Sequence, residues 1–196
     1  MSAEGISQAL REYESVLAEH GAAVVRRLRP GISRDKALAI AQRHGFHMSE
    51  EALAMWMWHD GDEEGPKLDN GWCGQPGIVA WYSFPCLEAS LTIMEETYGS
   101  QLGPKPDETT TEWPDRRCII PFAYHTCYTV YSFFCPPDEE TDIFYGERYD
   151  RPHPAVDVIR SWTEAVRSGM WRVYPDGQLR SDQLWGSSDF QHKKEA

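Results

Sequence analysis

The stretch Leu28–Gly61, LRPGISRDKALAIAQRHGFHMSEEALAMWMWHDG, decides how the rest of the chain is read. It spells two short helices with a glycine between them and an acidic stop. Ser33 can cap the first helix by accepting a bond from a free N–H of the opening turn, and Asp35 suits the positive end of the helix dipole. Gly45 ends that helix where a left-handed residue is wanted. Ser49 restarts the chain, with Glu50 and Glu51 in the first turn. Ala52, Leu53, Met55, Trp56 and Met57 then form a helix too apolar to be buried on one side only, closed by Asp60 and Gly61.

Outward from this stretch, Ile6, Leu10, Tyr13 and Leu17 recur at helical spacing and predict an N-terminal helix to about Gly21, which Val24, Val25 and Leu28 continue after a break. The segment Asp60 to Gly77 is acidic, with Gly and Pro, and reads as an exposed loop. Ile78–Phe84 (IVAWYSF) is β-branched and aromatic between Gly77 and Pro85, so it reads as a strand. Leu87, Leu91, Met94 and Tyr98 line one face of a helix. Gly99 to Arg117 is a long polar loop. Cys118–Phe122, Cys127–Cys135 and Ile143–Tyr149 are strand candidates, with Asp138–Asp142 as an acidic turn. Val156, Ile159, Trp162, Thr163 and Val166 mark an amphipathic helix. Pro175-Asp176-Gly177 supplies the turn of a hairpin spanning Trp171–Arg180. Consecutive strands favour an antiparallel sheet with helices against it, an α+β fold.

The Leu28–Gly61 string resembles the opening of the SUKH superfamily, which includes yeast cell-wall-assembly regulators and many bacterial toxin-immunity proteins. The family pattern is a helix, Gly, a short apolar run, Leu-Pro, an apolar helix and Asn-Gly. Gly45, Met48-Ser49, the helix containing Trp56 and Asp60-Gly61 fall in register with it. Ser49 stands for the family's Pro, Asp60 for its Asn, and Ala41 where an acidic residue is common. These swaps keep the capping and turn chemistry. Ile120-Pro121 matches the entry to the central hairpin, whose turn here is Ala123-Tyr124-His125-Thr126 instead of a Gly-rich, Asp-containing one. The resemblance covers about Leu28 to Arg172. It implies a single SUKH-like domain at 28–185, with a mixed or antiparallel sheet of about six strands flanked by helices. An N-terminal helical extension at 1–27 would precede it, and a polar tail at 186–196 would follow.

A chain of 196 residues with 41% hydrophobic content and eight Trp can bury a substantial core. Formal net charge is −12. That argues against a sequence-independent nucleic-acid binder and against anionic membranes, because phosphate contacts need surplus Lys and Arg. It favours a basic protein partner. No window is apolar enough to cross a membrane, and the N-terminus lacks a signal peptide's apolar core, so a cytoplasmic location is expected. Five Cys (73, 86, 118, 127, 135) without dense spacing read as reduced thiols.

Chemistry-bearing residues are sparse. His44, His47 and His59 with Cys73 have ligand types suited to zinc but lack a paired C-x-x-C, so no metal and no cofactor is expected. His59, His125 and Cys127 would be the groups of a small hydrolase, the alternative from a different class. The acidic runs Asp62-Glu63-Glu64, Asp69 and Asp138-Glu139-Glu140 with Asp142, interleaved with Trp72, Trp81 and Tyr145, have the composition of a protein-binding hot spot: aromatic anchors rimmed by charge. Non-catalytic binding is thus the leading expectation. The resemblance makes it the binding of a cognate, basic, nuclease-like toxin by an immunity protein, with a regulatory adaptor of the cell-wall-assembly type as the second possibility.

Overall fold

The structure, a computed structural model, describes residues 3–63, 77–80, 82–99, 119–124, 130–135, 141–145 and 153–181. Helix α1 (Ala3–Glu19) presents Ile6, Ala9, Leu10, Tyr13, Val16 and Leu17 on one buried stripe, the i, i+3, i+4 pattern of its sequence. Gly21 takes φ 76° and turns the chain into a short 3₁₀ segment at Ala23–Arg26, in place of a resumed α-helix. Helix α2 (Arg34–Arg43) starts at Ser33, whose hydroxyl accepts the Lys36 N–H. Helix α3 (Glu50–Trp58) is capped in the same way by Ser49, which accepts the Ala52 N–H at 3.1 Å. Ala52 through Trp56 are all buried, as an all-round apolar helix must be.

After α4 (Leu87–Gly99) come β1 (Ile119–Tyr124), β2 (Val130–Phe134), β3 (Asp142–Tyr145) and the two-residue β4 (His153–Pro154). These pair in that order as an antiparallel sheet. Helix α5 (Ala155–Arg167) and a hairpin of β5 (Trp171–Val173) and β6 (Leu179–Ser181) follow. The fold is α+β. Among the described residues the six strands are divided between a four-stranded sheet and the separate hairpin. Register in β1–β2 slips between Pro121 and Ala123, leaving Phe122 as the extra residue of a bulge. Pro121, with no N–H to donate, sits on the strand at the edge of the ladder, where proline is tolerated.

An aromatic chain joins the layers. Tyr13 of α1 lies 5.7 Å from Trp162 of α5, Trp162 lies 5.8 Å from Phe122, Phe122 lies 4.6 Å from Phe133 of β2, and Phe133 lies 6.0 Å from Trp56 of α3. Tilted ring pairs at these separations add attraction beyond burial. Helix α1 therefore shares one hydrophobic core with α3, α5 and the sheet. Burial pushes the Tyr13 phenol well above its ordinary pKa, and its O–H donates to the Ile78 carbonyl.

Among the described residues of the expected strand at Ile78–Phe84, which leave out Trp81, none belongs to a strand. The chain doubles back, with the Tyr82 N–H donating to the Val79 carbonyl at 3.0 Å, and Val79 and Tyr82 form only an isolated bridge. Ile78, Val79, Ala80, Tyr82 and Phe84 are all buried. An unbroken apolar run marks burial on every side and carries no period to distinguish a strand from a buried turn. The hairpin is as read: Asp176 accepts the Gln178 N–H at 3.0 Å, and Gly177 has φ 78°. Its Gly177 carbonyl accepts the Ala23 N–H at 2.8 Å, docking the hairpin on the 3₁₀ segment. No helix among the described residues is long and apolar enough to cross a membrane.

Candidate functional site: the corner at the end of helix α3

Helix α3 ends in Met57 and Trp58 with His59 as its cap, and of these Met57 is exposed. Met57 is 44% exposed, more than any other large hydrophobic side chain among the described residues. Trp58 is half-buried; its indole stacks at 6.2 Å on Phe84 and its Nε1–H donates to Glu14 of α1 at 2.8 Å. His59 has extended backbone at the helix end. Its Nδ1 lies 2.6 Å from the Arg29 carbonyl, so that nitrogen carries the proton and donates. Its Nε2 faces Glu14 at 3.4 Å. Glu14 thus accepts the indole N–H and lies beside the imidazole, fastening α3 to α1.

The acidic stretch of the sequence begins at this corner, and its described residues, 60–63, are tied down. Asp60 accepts the Leu87 N–H at 2.9 Å, capping α4 from 27 positions away. Gly61 takes φ 78°, and a Cβ there would lie 2.5 Å from the Cys86 nitrogen. The Arg29 N–H donates to the Gly61 carbonyl and the Glu63 N–H to the Arg27 carbonyl, both at 2.9 Å, so residues 61–63 run beside 27–29.

Asp62 is a correction to the expected solvent-facing acidic run. It is 1% exposed and forms an ion pair with Arg27 at 4.0 Å. The antiparallel bridge between Leu28 and Asp62 turns this carboxylate inward. A buried carboxylate needs a cation beside it, and Arg27 provides one. Glu63 is the first residue of the run to face solvent. Glu64, Asp69, Trp72, Trp81, Asp138, Glu139 and Glu140 lie outside the described residues, as do Cys73, Cys118, His125 and Cys127. Asp142 and Tyr145 are placed as backbone in β3, opposite Phe134 and Tyr131 of β2.

The residues read as helix caps and turns take those places. Gly45 has φ 63° after the His44 cap. Met48 and Trp56 are buried. Ser49, besides capping α3, accepts the Thr141 hydroxyl at 2.7 Å, which ties the start of β3 to α3. Sequence reading missed Glu14, whose position on the flank of the apolar stripe of α1 is its only signal.

Histidine chemistry at α2 is separate from this corner. His44 places Nδ1 2.8 Å from Glu95 and Nε2 3.1 Å from Glu88. The carboxylates approach different ring nitrogens, and among the described residues no group of three or more His, Cys, Asp or Glu converges as a metal site. No family model matches the chain, and no curated protein matches it.

Proposed function

We propose that this chain is a non-catalytic protein-binding module of SUKH type, an immunity protein that holds a basic, nuclease-like toxin through the α3 corner and the acidic loop leaving it. The observation that carries the reading is Met57, an exposed apolar side chain at the root of an acidic run in a chain of net charge −12. An apolar anchor beside charged residues is the usual anatomy of a binding centre and its rim. Supporting it are the capping and turn roles of Gly45, Ser49, Asp60 and Gly61, which match what the family pattern needs at those places.

The test is capture of partners from native lysate on the purified chain, at low and high salt, beside a Met57→Asp, Glu63→Lys variant. One dominant basic partner is expected, eluting with salt and lost on the variant, because attraction between exposed charges is screened within about 10 Å at 0.1 M salt. A partner that is acidic, resists salt or binds the variant equally overturns the reading.

A further inference from the structure

We propose that His44 is a proton-operated staple between α2 and α4, made when the imidazole carries both protons and loosened when it loses one. The ring sits at the C-terminal end of α2, only 13% exposed, and reaches two carboxylates seven residues apart on α4. Carboxylates can only accept, so both short contacts are hydrogen bonds only if both ring nitrogens donate. A neutral imidazole has one N–H, and its other nitrogen then points a lone pair at a carboxylate. Whichever nitrogen keeps the proton, one arm is lost.

The surrounding charges leave His44 in control. From α4 it faces Glu88 and Glu95; on α2 itself, Arg43 engages Glu88 at 2.7 Å. Helix α3, the other helix packed on α2, places Glu50 at the far end, held by Arg34, and Glu51 beside Thr141. Glu88 therefore keeps a cation when His44 becomes neutral. Glu95 has no other cation in contact among the described residues. In either tautomer Glu95 loses the positive charge it was paired with, so the C-terminal half of α4 is the part loosened; α4 also packs along β1.

Direction of titration agrees with the geometry. Partial burial alone would lower the His44 pKa; the hydrogen bonds and charges of Glu88 and Glu95 outweigh it and raise it. A raised histidine contributes stability that is complete below the unfolded value near 6.5 and lost as pH rises through the folded one. The Glu88 pKa is lowered, by the His44 hydrogen bond first, against some desolvation. Its contribution is complete above about 4.5 and lost as pH falls through the folded value. The Glu88 arm is thus fully made between about pH 4.5 and 6.5, and the Glu95 arm shares the upper limit because both depend on the His44 proton.

The experiment combines an NMR titration of the His44 Cε1–H with hydrogen exchange of α4 at pH 6 and 8.5, corrected for intrinsic rates, on the wild type, His44→Gln and Glu95→Gln. The wild-type midpoint should lie above about 6.5 and fall in Glu95→Gln. Exchange in the second half of α4 should speed about two- to five-fold at pH 8.5, the size expected of half-exposed ion pairs. In His44→Gln the two pH values should give equal corrected rates. A wild-type midpoint at or below 6.5, or an α4 response that persists in His44→Gln, overturns the proposal.

Discussion

At the scale of single residues, the ends of elements are set by groups with one specific task. Gly61 must hold φ 78° with the Cys86 nitrogen 2.5 Å from where a Cβ would stand. Gly61→Ala combines backbone strain with a clash against backbone that cannot yield, and should cost about 2–4 kcal/mol in urea unfolding, read as a lower midpoint at unchanged slope. Asp60→Ala removes the cap on the Leu87 N–H and should cost about 1 kcal/mol in the same measurement. Tyr13→Phe leaves the buried Ile78 carbonyl without its donor, at about 1–3 kcal/mol. If Tyr13→Phe were neutral, the hydroxyl would not be supporting the buried turn at 78–82.

Elements cohere through the rings between them. Trp162 touches both Tyr13 of α1 and Phe122 of β1, so it joins two helices and the sheet. Trp162→Ala should cost about 3–5 kcal/mol and, because it opens contacts to α1 and the sheet together, should lower protection in both by hydrogen exchange. A loss confined to α5 would mean the layers are held separately. The Ser49–Thr141 bond makes a smaller link of the same kind between α3 and β3. Ser49→Ala and Thr141→Val should show a coupling of about 0.5–1.5 kcal/mol in a double-mutant cycle, since the two hydroxyls share one hydrogen bond.

For the whole molecule, the net charge of −12 governs encounter more than fold. Association with a basic partner should slow about ten-fold or more between low and physiological salt, measured as the on-rate in stopped flow, with a far smaller change in off-rate. A flat on-rate would place the binding energy in apolar contact alone. The Arg27–Asp62 pair sums to no net charge, and Arg27→Ala, which leaves the buried Asp62 without this cation, should destabilise by about 3–5 kcal/mol in urea unfolding.

The sequence by itself determined the periodic elements and their punctuation. The stripe of Ile6, Leu10, Tyr13 and Leu17, the caps Ser33 and Ser49, the left-handed Gly45 and the Pro175-Asp176-Gly177 turn are legible because their physics acts within one or two turns of chain. What only the tertiary structure decided is everything whose partner is distant in sequence. The buried run around Ile78 and Phe84 looks like a strand until Tyr13 of α1 and Trp58 of α3 meet it, because an all-apolar run has no period to read. Asp62 looks like its neighbour Glu63 until residue 28 bridges to it and turns one carboxylate inward. Asp60 caps a helix 27 positions on, Glu14 collects Trp58 and His59 from 44 positions away or more, and His44 finds its two carboxylates on α4. A composition rich in acids states how much charge there is; only packing states which charges water can reach.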